Sequence, residues 1–115
     1  KLILLAPALS QLAAAGRESG LRLVEELFAD RAYLDDGQLV PRSRADAMIH
    51  GAEAALAHVH RMLEEGAIVS LSGKRLPVRA GSVCVHGDNA EAVATARRLR
   101  EGLEAAGYAI APLVA

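Results

Sequence analysis

Short apolar runs alternate with segments of helical periodicity along this chain, and that alternation restricts the fold more than any other feature. Residues 2–6 form an apolar run ended by Pro7, which predicts a strand buried on both faces. The apolar residues that follow recur at helical spacing up to Gly16 and Gly20, which can close a helix. The first unit is therefore strand then helix, the building block of parallel sheets.

Residues 21–29 are predicted to form a second strand, because their side chains alternate between two faces. Glu26 and Asp30 would share one face and lie roughly 13 Å apart along it, at about 3.3 Å per residue. That distance is too large for a close carboxylate pair. Leu23 and Leu27 also suit a helix, which is the competing interpretation.

The rest of the chain continues the alternation after a long loop. Residues 30–51 lack a sustained period and contain turn formers, and loops of that length in compact domains are usually functional or disordered. The elements predicted after it are a helix over 52–63 stopped by Gly66, a hairpin of 67–71 and 76–79, a strand over 82–86, and a helix closed by Gly107. This order indicates a parallel α/β architecture, either an open doubly wound sheet or part of a barrel.

Charge and composition exclude several classes of partner. The chain has 13 Lys+Arg against 14 Asp+Glu, so neither a nucleic-acid footprint nor a polybasic membrane anchor is expected. Residues 2–9, the apolar stretch at the start, are far fewer than the roughly 20 needed to cross a bilayer, and they do not resemble a signal peptide. The single cysteine, Cys84, excludes a disulfide framework and fits a reducing cytoplasm.

The extent of the chain suggests one domain over residues 1–115, because no repeat or linker divides it. It begins without methionine and runs directly into a strand. We therefore expect a partial chain, although a processed one would look the same.

Candidate functional residues lie where the predicted strands end, at residues 26–31 and 84–89, because parallel α/β folds collect their sites there. His86 precedes a helix, whose dipole favours a neutral ring able to act as base, donor or metal ligand. A packed histidine bonded to a backbone carbonyl is equally compatible. Asp88 and Glu91 resemble a capping box, so an N-cap role competes with a catalytic one for Asp88.

Other polar residues leave alternatives open. Arg31 either forms an ion pair with the preceding aspartate or contacts a substrate. Arg42 either binds a carboxylate or phosphate through its guanidinium group or is an ordinary surface arginine. His50, His58 and His60 are interpreted as a solvated surface and not as a metal site, because residues 58 and 60 point in different directions on a helix.

Three ordered segments resemble the C-terminal signature blocks of the LamB/YcsF family: ELFADRAY at residues 26–33, DGQLVPR at 36–42 and CVHGDN at 84–89. Their order and spacing match as well, and the resemblance covers nearly the whole chain. The chain departs from the family at Ala45 and Asp46, where Pro-Gly is usual, and at Ala90, where Pro is frequent. Those departures affect loop geometry more than chemistry.

The resemblance implies an α/β fold that is the C-terminal part of an irregular seven-stranded (β/α) barrel of the glycoside hydrolase/deacetylase type. It implies a role as the A subunit of a 5-oxoprolinase, which opens the lactam of 5-oxoproline to L-glutamate with ATP and works with the B and C subunits. The family's N-terminal half, absent here, would supply the rest of the site. The chain alone is therefore expected to be inactive.

The family blocks also imply which residues line the site at the barrel mouth. The catalytic candidates are His86, Asp88, Glu26 and Asp30, and the substrate-binding candidates are Arg31, Tyr33 and Arg42. A metal-dependent deacetylase and a non-catalytic docking fragment are the alternatives, the former by fold analogy alone. Half a barrel would expose residues 2–6 and the apolar face of the 52–63 helix, so a homo-oligomer is expected.

Overall fold

The computed structural model describes residues 2–87 and 90–113. Its elements in chain order are β1 (Ile3–Pro7), α1 (Gln11–Glu18), β2 (Arg22–Phe28), α2 (Ala52–Glu65), β3 (Ala67–Val69), β4 (Arg75–Pro77), β5 (Ala80–Cys84) and α3 (Ala92–Ala105). Residues 21–29, for which a helix was the competing interpretation, contain strand β2, so the helical interpretation is wrong. Within the described ranges, no helix has the length and apolarity needed to span a membrane.

Three parallel strands form the main sheet, in the order β1, β2, β5. Glu26 of β2 lies opposite Pro7 on one side and Ser82 on the other, and Phe28 lies opposite Cys84. The strands run in one direction, so the segments that follow β2 and β5 emerge at the same edge of the sheet. The hairpin predicted after α2 is confirmed as the antiparallel pair β3 and β4.

Strand β1 is less buried than its apolar sequence predicts. Ala6 is 1% exposed, but Leu5 is 43% exposed, so the expectation of burial on both faces is wrong. In the described part of the chain β1 pairs only with β2, and it therefore lies at the edge of the sheet. Helix α1 covers the other face closely, because a Cβ at Gly16 would collide with the Leu4 side chain.

The helices begin and end where local chemistry favours it. Helix α1 starts at Gln11, later than the apolar spacing suggests, because the Ser10 hydroxyl accepts a hydrogen bond from the Ala13 N–H at 3.0 Å. Gly66 ends α2 in the left-handed conformation, φ 62°, as the sequence predicts.

Helix α2 contributes its apolar face to the core. Ala55, Val59 and Met62 are each no more than 1% exposed. Leu99 and Leu103 of α3 pack in the same cluster as the first two of them. The expectation that this face would be exposed is therefore wrong, because α3 folds back over α2 and covers it.

The loop over residues 30–51 is irregular but tightly packed. Ala32, Val40 and Ala47 form a small core of their own, and two of these side chains are fully buried. The Ala32 N–H donates to the Ala47 carbonyl at 2.9 Å, and the Val40 N–H donates to the Ala32 carbonyl at 3.0 Å. The loop is therefore a folded wall beside the end of the sheet.

We predict that the chain associates as its concentration rises, because apolar residues such as Leu5 and Leu12 are exposed next to a sheet edge that has no strand partner in the described residues. Sedimentation velocity over a range of concentrations should show a dimer or larger species. Leu5→Lys should weaken the association, because a charge blunts a strand edge.

The matched control is Leu71→Lys, which changes a leucine of similar exposure in the turn of the hairpin, 50% against 43% for Leu5, and should leave association unchanged. A compact monomer at every concentration, with cooperative unfolding, would contradict this prediction.

Candidate functional site

Asp30 and His86 meet at the edge of the sheet where β2 and β5 end. The Nδ1 atom of His86 lies 2.9 Å from each carboxylate oxygen of Asp30. The two side chains are 27% and 11% exposed for His86 and Asp30, so the pair is sheltered but reachable. The parallel register places both residues just beyond their strands, as the strand-end rule predicts.

The hydrogen bond defines which nitrogen of His86 carries the proton. An ionised carboxylate only accepts hydrogen bonds, so Nδ1 is the donor, and in the neutral ring Nε2 holds the lone pair. The Phe28 ring stacks on the imidazole with a centroid distance of 5.8 Å and an angle of 9°. A histidine oriented by a carboxylate in this way is arranged to act as a general base.

A cleft of about 270 Å³ opens beside this pair. It is also lined by Arg42, His50, Glu91 and Thr95. This volume is below the roughly 300–1,000 Å³ of drug-sized sites, so the cleft suits a small molecule. Arg42 is exposed and brings a permanent positive charge to the cleft.

The structure therefore gathers Asp30, His86 and Arg42, while His50, Glu91 and Thr95 are additional lining residues that the sequence did not single out for this cleft. His50 lies directly before Gly51, the N-cap residue of α2. This position at the junction of loop and helix was the sequence feature that could have indicated His50 as a lining residue.

Glu26 lies within β2, four residues before Asp30, and does not line the cleft. Its Oε2 accepts a hydrogen bond from the Ser82 hydroxyl at 2.7 Å, across the β2–β5 pairing. Burial, with the negative charges of Glu26 and Asp30 as smaller causes, raises the pKa of the Cys84 thiol. The thiol is thus kept protonated at neutral pH and is a poor nucleophile.

Arg31 is directed into the loop. It is 8% exposed, and its Nη2 donates to the Val40 carbonyl at 2.9 Å. The ion pair considered with Asp30 is not formed, because that carboxylate binds His86. The buried Nε of Arg31 has no hydrogen-bond partner among the described residues.

Tyr33 lies in the core and not at the cleft. It is 3% exposed, and its hydroxyl oxygen accepts a hydrogen bond from the Phe28 N–H at 2.9 Å. Burial raises the pKa of Tyr33 to about 12. The substrate-binding role implied by the resemblance has no support in this placement, because the loop returns the side chain to the backbone of β2.

His58 is partly buried, so interpreting it as part of a solvated surface was wrong. Its Nε2 lies 3.0 Å from the Arg31 carbonyl oxygen, and its ring is tilted against Tyr33 with a centroid distance of 6.0 Å. Burial lowers the pKa of His58, and the nearby charge of Arg61 adds to this effect. His60, in contrast, is within 3.6 Å of Glu64 near the surface.

The two remaining sequence predictions concern Asp88 and a metal site. Asp88, predicted as a catalytic or N-cap residue, lies outside the described residues, and Glu91 occupies the N-cap position of α3. In residues 2–87 and 90–113, no group of three or more His, Cys, Asp or Glu side chains is arranged to hold a metal ion.

Comparison with known proteins gives consistent results. A sequence profile of the LamB/YcsF family matches residues 1–115. The chain is 52% identical over 110 residues to a protein of Gluconobacter oxydans named as the A subunit of 5-oxoprolinase, covering 96% of this chain and 43% of that protein. It is 51% identical over 113 residues to the protein of the same name from Azoarcus sp., covering 98% of this chain and 44% of the relative.

A solved structure is also similar. The crystal structure of the lactam utilization protein from Thermus thermophilus matches with a TM-score of 0.80 and 40% identity. The match covers 92% of this chain and 42% of that one. The chain therefore spans less than half the length of these relatives.

Tyr33→Phe should lower the free energy of unfolding by about 1–2 kcal/mol, because it leaves the partly buried Phe28 N–H without its acceptor. Chemical denaturation measures the change. Tyr108→Phe is the matched control, since Tyr108 is only partly buried, and it should change stability by less than about 0.5 kcal/mol. Equal effects of the two substitutions would contradict the role assigned to the Tyr33 hydroxyl.

We also predict that stability falls with pH below 6.5, the ordinary pKa of histidine. The folded-state pKa of His58 is lowered, so the unfolded chain binds more protons in this window and the slope is at most about 1.4 kcal/mol per pH unit for one group. Arg61 adds to the cost of a charged ring. Denaturation from pH 7.5 to 4.5 should give a shallower decline for His58→Gln, and identical slopes would contradict the prediction.

Proposed function

The chain belongs to the LamB/YcsF family, and on that premise we propose that it forms part of the A subunit of an ATP-dependent 5-oxoprolinase. The reaction opens the lactam of 5-oxo-L-proline to L-glutamate, together with the partner B and C subunits. The names of relatives about 50% identical to the chain support this activity. The Asp30–His86 pair at the mouth of the cleft is the observation within the chain that carries it.

The proposal includes the larger architecture and location. The parallel sheet of β1, β2 and β5 would be the C-terminal portion of an irregular seven-stranded barrel, which the similarity to the lactam utilization protein supports. The cytoplasm is the proposed compartment, in keeping with a single free cysteine.

Lactam opening requires water to attack the amide carbon while the ring C–N bond breaks and the nitrogen gains a proton. The Nε2 of His86 would take the proton from the attacking water and deliver it to the leaving nitrogen. Asp30 would keep Nδ1–H oriented and stabilise the imidazolium that forms between these steps. Phe28 would hold the ring in plane.

The carboxylate of 5-oxoproline needs a cationic partner in the same cleft. Arg42 lines the cleft with Asp30 and His86 and can bind a carboxylate through two parallel N–H···O bonds. His50 offers a further donor beside it. These residues would place the lactam against Nε2 of His86.

ATP would activate the amide oxygen by phosphorylation with release of ADP, and after ring opening the phosphoryl group would pass to a second water and leave as inorganic phosphate. Ser72, Gly73 and Lys74 do not form a phosphate-binding loop: they lie in the turn of the β3–β4 hairpin, where the Gly73 N–H donates to the Ser70 carbonyl. We therefore assign no residue of this chain to ATP. The nucleotide would bind to other parts of the assembled enzyme.

A chimera tests the proposal. This chain replaces the matching 110 residues of the Gluconobacter oxydans relative, and ATP-dependent release of glutamate from 5-oxoproline is measured with the partner subunits present. The chimera should be active, and His86→Gln should lower turnover by about 10²–10⁴-fold, the usual contribution of a general base.

His60→Gln is the matched control, because His60 lies on the outer part of α2 and should leave turnover unchanged. A folded chimera that releases no glutamate would overturn the proposal. Chelator-sensitive hydrolysis of an acetylated sugar would favour the deacetylase alternative in its place.

A further inference from the structure

A helix side chain holds the peptide between Arg31 and Ala32, one residue beyond Asp30. His58, on α2, lies 3.0 Å through Nε2 from the carbonyl oxygen of Arg31. A carbonyl oxygen only accepts hydrogen bonds, so Nε2 must carry the proton and donate. The proposed reaction makes no use of this imidazole. The carbonyl that it binds nevertheless belongs to the residue next to Asp30, whose carboxylate orients His86.

Backbone hydrogen bonds hold the residues around Asp30 on its other sides. The Ala29 N–H donates to the Cys84 carbonyl at 3.0 Å, which ties the end of β2 to β5. The Ile49 N–H donates to the Asp30 carbonyl at 2.9 Å, which ties the loop to the same point. The hydrogen bond from His58 holds the next peptide, between Arg31 and Ala32.

The Arg31 side chain extends these contacts into the loop. Its Nη2 donates to the carbonyl of the fully buried Val40, while the buried Nε has no partner among the described residues. Burying an unsatisfied donor is unfavourable, so the surrounding contacts must keep this conformation in place. His58 is one of those contacts.

We propose that His58 is a positioning residue for the Asp30–His86 pair. By fixing the peptide between Arg31 and Ala32, it fixes the backbone direction from which the Asp30 carboxylate reaches Nδ1 of His86. It acts through Asp30 and does not itself line the cleft. Its significance for catalysis rests on the proposed function, but the coupling between the two histidines exists without it.

Two kinds of role for His58 predict different responses to substitution. The ring also packs against Tyr33, which by itself would make His58 a packing residue. A positioning role depends on the N–H donor. Glutamine keeps an amide N–H at nearly the reach of Nε2, asparagine has the same chemistry but is shorter, and leucine keeps volume without a donor.

The test observes the hydrogen bond at His86 by NMR of the 15N-labelled chain. The Nδ1–H proton of His86, identified by its loss in His86→Gln, should exchange with solvent roughly fivefold faster in His58→Leu, the factor that corresponds to about 1 kcal/mol for one hydrogen bond. His58→Gln should restore an exchange rate near that of the native chain. His60→Leu, two residues along α2, should have no effect.

Equal exchange rates in the native chain and a folded His58→Leu variant would overturn the proposal. Equal acceleration in His58→Leu and His58→Gln would also overturn it, because the ring and not the donor would then matter. If His58→Leu does not fold, the comparison of His58→Asn with His58→Gln decides, with faster exchange expected only for asparagine. Absence of lactam hydrolysis in the chimera would leave this readout unaffected.

Discussion

The parallel pairing of β2 with β5 is the interaction on which the remaining structure depends. Asp30 and His86 are 56 residues apart in the chain, yet the shared direction of their strands brings them within hydrogen-bonding distance. The intervening residues, 31–85, must therefore leave this edge of the sheet and return to it. Helix α2 does this across one face, where it is covered in turn by α3, and the β3–β4 hairpin completes the return.

The loop over residues 30–51 combines a small buried core of Ala32, Val40 and Ala47 with an exposed stretch at residues 41–46. Its tip is fastened to the hairpin, because the Asp35 carboxylate accepts hydrogen bonds from the Ser70 and Ser72 hydroxyls at 2.6 Å each. These bonds lower the pKa of Asp35 and favour the ionised form that accepts them. These bonds tie the loop to the β3–β4 hairpin, on the side away from the residues that line the cleft with Asp30 and His86.

Periodicity in the sequence predicted the number and order of the strands and helices, because those features depend on local spacing. It left residues 21–29 open to a helical interpretation and placed a strand over 82–86 where the structure has Ala80–Cys84. The strand-end rule likewise indicated Asp30 and His86. It did not indicate the burial of Tyr33, the contact of Arg31 with Val40 or the donor role of His58, since each depends on how an aperiodic loop folds back. The exposure expected for α2 was wrong for a related reason, because its covering helix α3 is separated from it in the sequence by three strands.

The separation of Asp30 from His86 has a consequence for the order of folding. Closing a loop of 56 residues costs chain entropy before any contact compensates for it, whereas α1 with its flanking strands requires only local closures. The first strand–helix–strand unit is thus expected to form early, and the addition of β5 late. The imidazole–carboxylate contact would then be among the last to appear, so its formation marks the point at which the chain has reached its native topology.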